Sequence, residues 1–336
     1  MTRHPAMYWR QLEHHRVKCL LCHHQCVLAN GETGQCGGRQ NKDGLLVALT
    51  YGHPVAMHID PVEKKPLYHF HPGSQVFSIA TGGCNLHCLH CQNWEISQQV
   101  NTSTPYTPPE KVLTMAQESG CQAIAYTYTE PLVWYEYLLD MAKLARKANI
   151  ANILVSAGYI HPRPLQRLLP YLDAANIDLK SFSDEHYRTI NSAALQPVLD
   201  TILILKKAEV WLEITQLLIP GINTGEVMIR RTVGWLLEND MENVPIHFSR
   251  YHPAYHMMEP SPTPESMVLE ACRLARSMGM NYVYAGNLMS HQFEDTLCPS
   301  CGRTLIERQG YRIHFVEPNL PLCGHCQQKV EGRFGE

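Results

Sequence analysis

The sequence predicts an α/β protein built on a parallel sheet with helices outside it. Three observations carry this. Between residues 69 and 290, short apolar strands alternate with longer helical segments about six times. The composition, 45% apolar and 18% charged over 336 residues, is that of an ordinary globular chain with room for a sizeable core. The two flanks break the alternation, and both are rich in cysteine.

Residues 75–81 (QVFSIAT) form a short apolar run that ends in Gly82-Gly83, a strand and its turn. A helix over 108–119 opens on two prolines, which a first turn tolerates, and stops at Gly120. A strand over 122–127 and a helix over 131–148 follow, the helix with Pro131 in its first turn and apolar residues at helical spacing. The alternation continues as strand 152–156, helix 163–169, strand 174–179, helix 196–208 and strand 210–219. Helix 226–239, strand 246–249, helix 264–278 and a closing strand over 282–284 complete it. This pattern fits a doubly wound open sheet or a full or partial (β/α) barrel. In either, the loops at the C-terminal strand ends carry the chemistry. Three regions result: a Cys-rich metal-binding extension over 1–68, a core domain over 69–290 and a small module over 291–336.

Several function classes are disfavoured. No apolar run approaches the ~20 residues of a membrane span, and no apolar stretch of signal-peptide type follows the first residues. A cytoplasmic location is therefore expected. The formal net charge of −3 argues against a generic nucleic-acid binder. No internal repeat or low-complexity tract stands out.

Cysteine is the outlier, with 13 residues beside 19 histidines. A disulfide framework belongs to small secreted chains; this chain is long and its cysteine count odd. The short spacings instead favour metal ligation in a reducing compartment. Cys121 and Cys272 stand alone in apolar surroundings and are expected to be buried, inert thiols. Among the histidines, His58, His69 and His71 are expected to be structural, and His252 and His256 follow a predicted strand where loops face a barrel cavity.

The central group, Cys84-Asn85-Leu86-His87-Cys88-Leu89-His90-Cys91, is a C-x3-C-x2-C run directly after the first predicted strand. Three thiolates on one tight loop suit three irons of a [4Fe–4S] cluster and leave the fourth iron open to an outside ligand. A zinc site completed by His87 or His90 is the alternative, but zinc sites usually pair ligands from two knuckles. Cys298, Cys301, Cys323 and Cys326 do form two such C-x2-C knuckles, a zinc-ribbon pattern. A closed four-thiolate site stabilises a module too small to hold itself. Cys19, Cys22, Cys26 and Cys36 form a third set, which would bind zinc or an auxiliary iron–sulfur cluster. The glycines at 31, 34, 37 and 38 favour a zinc knuckle there.

The C-x3-C-x2-C run after the first strand resembles the signature of the radical S-adenosylmethionine (radical SAM) superfamily. That resemblance implies a partial (β/α)6-type radical SAM barrel with an N-terminal Cys-rich extension and a C-terminal zinc ribbon. It also implies a [4Fe–4S] cluster on Cys84, Cys88 and Cys91 whose open iron is chelated by S-adenosylmethionine. One-electron cleavage would give methionine and a 5′-deoxyadenosyl radical that takes a hydrogen from the substrate. The stretches DPVEKKPLYHF (60–70), YTEP (128–131), LIPG (218–221), SRYHP (249–253) and YVYAGN (282–287) are similar to the radical enzyme of the AmmeMemoRadiSam system. Those proteins in turn resemble pyruvate formate-lyase-activating enzymes.

The resemblance places S-adenosylmethionine against Gly83, Asn93, Glu130, Asp178 and Lys180, and it assigns no catalytic side chain. Tyr128-Thr129 stand where activating enzymes carry two glycines that allow close backbone approach, and His90 stands where an aromatic residue is usual. The expected activity is a radical SAM oxidoreductase acting on a protein or peptide substrate. Its expected partners are a flavodoxin- or ferredoxin-like electron donor and proteins of the AmmeMemoRadiSam system. A glycyl-radical activating enzyme and an RNA-modifying radical enzyme are the alternatives. Val155-Ser156-Ala157-Gly158, in place of the activating enzymes' Asp-Thr-Asn-Gly, counts against the first, and the net charge counts against the second.

Overall fold

The computed structural model describes residues 4–101 and 103–335, and its main sheet has eight strands. Ala56–Pro61 (β1) pairs antiparallel with Gln75–Ala80 (β2). From β2 onward every pairing is parallel, through Ala123–Tyr126 (β3), Ala151–Ser156 (β4), Ala174–Asp178 (β5), Trp211–Leu218 (β6), Ile246–Arg250 (β7) and Val283–Gly286 (β8). Spatial order follows sequence order, so each crossover moves one place along a partial barrel.

Among the described residues, seven helices longer than a single turn cross over: Pro109–Glu118 (α1), Tyr135–Lys147 (α2), Pro162–Leu168 (α3), Asp184–Asn191 (α4), Gln196–Lys207 (α5), Glu226–Glu238 (α6) and Glu265–Met278 (α7). Proline opens α1, α3 and α5, where its missing N–H costs nothing. Gly279 ends α7 at φ +113°, a left-handed cap that only glycine adopts without strain.

Two elements depart from the sequence expectation. α4 was not anticipated, because its eight residues bury only Tyr187 and Asn191. Its cap was nonetheless legible: Ser183 accepts a hydrogen bond from the His186 N–H at 3.4 Å, with Asp184 and Glu185 in the first turn. β1 was assigned to the extension, yet it is the edge strand of the main sheet, with His58 opposite Ser78. The extension therefore cannot be divided from the barrel at residue 68.

Strand alternation sorts the core into two faces. Ile124, Tyr126, Leu154 and Ile177 pack outward with the helices. Ala123, Ala125, Ile153 and Ala174 pack inward against Val62, Leu67 and Phe70. The segment 62–70 thus fills the inner face, and small alanines make room for it. Glu213 at the start of β6 fixes this segment. Fully buried, it accepts hydrogen bonds from the Tyr68 and His69 N–H groups (3.0 and 2.8 Å), Trp211 Nε1 (3.0 Å) and His247 Nε2 (2.7 Å).

Both flanks share the barrel's core. Val17, Leu21, Leu28 and Leu46 join the helix-side cluster, and a buried Arg39–Glu136 ion pair ties the N-terminal flank to α2. The C-terminal module contains an antiparallel hairpin, Thr304–Gln309 with Arg312–Phe315, whose Leu305 and Ile306 pack on Tyr282 and Tyr284. A hydrogen-bonded chain crosses this seam. Arg308 donates to Thr296 Oγ1 at 2.7 Å, Thr296 lies 2.9 Å from the Tyr284 hydroxyl, and that hydroxyl lies 2.5 Å from His69 Nε2. His69 Nδ1 lies 2.6 Å from the Glu331 carbonyl, which can only accept, so Nδ1 carries the proton and Nε2 accepts from Tyr284. Among the described residues, no helix is long and apolar enough to cross a membrane.

This environment gives a pH prediction. Burial, only partly opposed by Glu213, lowers the His69 pKa from 6.5 to about 4. Between those values the unfolded chain binds a proton at this residue and the folded chain does not. Stability should therefore fall by roughly 1.4 kcal/mol per pH unit from about pH 6.5 down to pH 4 on this account alone. Urea midpoints of His69→Gln should show a shallower acid limb; a limb as steep as in the parent would refute the assignment.

Candidate active site

The three central thiols leave one loop at the C-terminal end of β2, where barrel chemistry is expected. Two backbone bonds fasten that loop to the C-terminal end of α4, from His87 N to Asn191 O and from Leu89 N to Ile190 O, both 3.0 Å. Each sulfur has a polar partner of its own. Leu86 N–H donates to Cys84 Sγ at 3.3 Å, Asn191 Nδ2 to Cys88 Sγ at 3.1 Å, and the Ser97 hydroxyl lies 3.2 Å from Cys91 Sγ. Burial pushes the Cys84 thiol well above its ordinary pKa, and Glu130 adds to this; burial also raises Cys88, against the pull of Lys180 and Asn191. Left to themselves Cys84 and Cys88 are protonated thiols, and bound iron is what would make them thiolates.

The donor set fits a cluster better than a single ion. Among the described residues, the set of three or more candidate ligand atoms lying within 4.8 Å of one another is Cys298, Cys301, Cys323 and Cys326. There the Cys298–Cys326 and Cys301–Cys323 sulfurs are 3.5 and 3.8 Å apart. Zinc–sulfur bonds of ~2.3 Å in a tetrahedron give an edge of about 3.8 Å, so these four sulfurs are spaced for one zinc. The Cys84, Cys88 and Cys91 sulfurs do not close to that spacing, as expected of ligands spread around a larger core. His90, buried between two of the cysteines, has no hydrogen-bond partner at Nδ1, and burial lowers its pKa to about 3.

The residues expected around S-adenosylmethionine lie in different settings. Lys180 follows β5 and donates from Nζ to Asp178 Oδ2 at 2.7 Å. Asp178 and the nearby Cys88 hold its pKa above the ordinary lysine value despite burial. Asn93 lines the barrel cavity and donates from Nδ2 to the Tyr128 carbonyl at 2.6 Å. Tyr128, where the family carries glycine, nonetheless takes the left-handed conformation at φ +68°. Its hydroxyl bonds Asp60, which also accepts from Lys64 (2.8 Å) and Lys65 (2.7 Å), and Lys65 Nζ sits 4.4 Å from the Tyr128 ring centre. One of the two positions thus takes a conformation that favours glycine, and the Tyr128 side chain is bonded to Asp60.

Glu130 and Gly83 are engaged by the protein itself. Glu130 Oε1 accepts from Leu132 N (3.0 Å) and Ser156 Oγ (2.7 Å), and Oε2 accepts from Ala157 N (2.9 Å). It braces the end of β3 against β4 and is 1% exposed, so it positions the site from behind. Gly83 has φ +98°, and a Cβ there would lie 2.3 Å from the Cys36 carbonyl oxygen. Packing of the N-terminal flank is what requires glycine at this position.

A cavity of about 750 Å³ opens at the C-terminal strand ends, within the range of small-molecule sites. Lys65, Asn93, Tyr128, His247, Asn287 and Tyr311 are among its lining, so the N-terminal segment, the cysteine loop, the barrel and the C-terminal hairpin all contribute. Sequence reasoning gave Lys65, Asp60, Asn191 and Glu213 no site role of their own. Glu213 had a usable signal: a carboxylate at an inward position of an apolar strand needs buried partners. His252 and His256 reach the cysteine loop through backbone, with Gln92 Nε2 donating to His252 O and His256 N donating to Leu89 O, both at 2.9 Å. Cys121 and Cys272 are buried, as expected.

Comparison with known proteins adds a family context. The family model described as the Radical SAM superfamily matches residues 78–233. An uncharacterized protein of Methanocaldococcus jannaschii, MJ0808, is 39% identical over 330 residues, covering 97% of this chain and 98% of that protein. A radical SAM methyltransferase from Sphaerobacter thermophilus superposes with a TM-score of 0.50 at 12% identity, over 70% of this chain and 71% of that one. Streptococcus suis SuiB superposes with a TM-score of 0.50 at 11% identity, over 68% of this chain and 52% of the longer SuiB chain.

Proposed function

We propose, from the match of residues 78–233 to the Radical SAM superfamily, that this chain cleaves S-adenosylmethionine reductively to abstract a hydrogen atom from a protein or peptide substrate. The single observation that carries this is the set of three hydrogen-bonded cysteine sulfurs on the β2 loop, beside the barrel cavity. In this reading Cys84, Cys88 and Cys91 hold a [4Fe–4S] cluster. Such a cluster would supply the one-electron reduction by which bound S-adenosylmethionine is cleaved for hydrogen abstraction.

The chain's own residues bind and orient. Lys180, kept protonated by Asp178, would pair with the carboxylate of the methionine moiety. Asn93 and the Tyr128 backbone hold one wall of the cavity, and Glu130 keeps the end of β3 in register with β4. Asp60, Lys65 and Tyr128 form a closed polar cluster that fixes one side of the cavity and excludes water there. Tyr311, 59% exposed in the cavity lining, presents an aromatic ring to an incoming substrate, which suits a polypeptide. SuiB, which shares the fold, is known bound to its precursor peptide SuiA. A flavodoxin- or ferredoxin-like protein supplies the electron, and the AmmeMemoRadiSam proteins are the first substrates to test.

The experiment is anaerobic reconstitution, reduction, and incubation with deuterium-labelled candidate proteins. Label should pass from one of them into 5′-deoxyadenosine; the same result with labelled RNA and none of the proteins would overturn the substrate assignment. The ribbon cysteines give a separate prediction. Cys301→Ser should lose about one zinc per chain and increase protease cleavage of 291–336. The visible absorption of the central cluster should persist, and loss of both together would contradict a structural zinc.

A further inference from the structure

We propose that Cys19, Cys22, Cys26 and Cys36 bind a second [4Fe–4S] cluster, closed by four thiolates, in place of the zinc that their glycine-rich setting suggests. The chain carries its own standard for a zinc site: the C-terminal sulfurs approach to 3.5 and 3.8 Å, the edge of a one-ion tetrahedron. The N-terminal sulfurs do not meet this standard. All four are described, all four line one enclosed cavity, and no three of them lie within 4.8 Å of one another. Like the Cys84, Cys88 and Cys91 sulfurs, they are not drawn together to the spacing of one ion.

The lining suits a cluster. Leu21, Leu28 and Val133 close the apolar side, which shields a cluster from water. Arg39 Nη1, on a buried side chain, stands 4.0 Å from Cys19 Sγ. Hydrogen bonds to sulfur and a neighbouring buried cation are the means by which proteins stabilise and tune iron–sulfur clusters. Four cysteines leave no open iron, so this cluster has no place for S-adenosylmethionine. It lies against the central loop. The Cys36 carbonyl packs on Gly83, one residue before Cys84, and His24 Nε2 is 2.6 Å from the carbonyl of Asn85, one residue after it.

The test is metal and sulfide analysis with electron paramagnetic resonance of the full chain, reconstituted and reduced without oxygen. The variant Cys84→Ala/Cys88→Ala/Cys91→Ala removes the central site and leaves the proposed one. It should retain about four iron and four sulfide per chain, with a cubane signal unchanged by S-adenosylmethionine. If that variant does not fold, the parent decides. About eight iron and one zinc per chain, with part of the reduced signal blind to S-adenosylmethionine, supports the proposal. About four iron and two zinc, with the whole signal responsive, overturns it, as does an iron-free triple variant that holds two zinc. Loss of the responsive signal alone would instead remove the proposed function and leave this inference standing.

Discussion

Alanine at Cys84, Cys88 or Cys91 should reduce S-adenosylmethionine cleavage to the level of a protein-free control. The reason is geometric. Each sulfur has its own polar partner, Leu86 N–H, Asn191 Nδ2 or the Ser97 hydroxyl, and none of the three stands in for another. No neighbouring cysteine is free to substitute, because Cys36 belongs to the N-terminal set and Cys121 is buried elsewhere in the core. Asn191→Ala is the milder companion. It removes the bond to Cys88 at 3.1 Å while keeping the ligand, so it should lower cleavage and shift the reduction potential without abolishing the cluster. Methionine and 5′-deoxyadenosine, quantified after anaerobic reduction, read both outcomes. A cysteine variant that still turns over would remove Cys84, Cys88 and Cys91 from the account.

Glu213→Leu should destabilise the fold by about 3–5 kcal/mol, because it removes the acceptor of four buried hydrogen bonds. Domains hold only ~5–15 kcal/mol in all. The carboxylate is fully buried and takes bonds from the Tyr68 and His69 backbone, Trp211 and His247. Leucine leaves all four donors unpaired in the interior. It also frees segment 62–70, which fills the inner face of the barrel and supplies Lys65 to the cavity wall. Loss of soluble protein, or a large fall in urea midpoint, is the expected result. A change below about 1 kcal/mol would mean that water replaces the carboxylate and that the buried network contributes little.

The fold was legible where strand and helix periods alternate. The six predicted helices and the seven parallel strands stand within a few residues of their expected places, because apolar spacing and first-turn prolines act locally. β1 escaped because an edge strand needs no continuous apolar run; its sequence, AMHIDP, buries only Asp60 fully. α4 escaped because a short polar helix is defined by what its end holds, and what it holds is the cysteine loop. The place of the cysteine loop was legible because its three cysteines directly follow the first apolar run, which is β2. The cavity wall was not: the meeting of Asp60, Lys64, Lys65 and Tyr128 depends on β1 lying beside β2, a long-range pairing. Gly83 was singled out, but its reason lies 47 residues upstream at Cys36, beyond the reach of a motif.

The central claim is a cluster held by three cysteines with one iron open to S-adenosylmethionine. Electron–nuclear double resonance of the reduced protein, mixed with S-adenosylmethionine carrying nitrogen-15 at its amino group, tests it most directly. Hyperfine coupling between the cluster and that nitrogen is the result this structure predicts. A reduced cluster that shows no coupling to the labelled amine, or no cluster at all in oxygen-free protein, would contradict it.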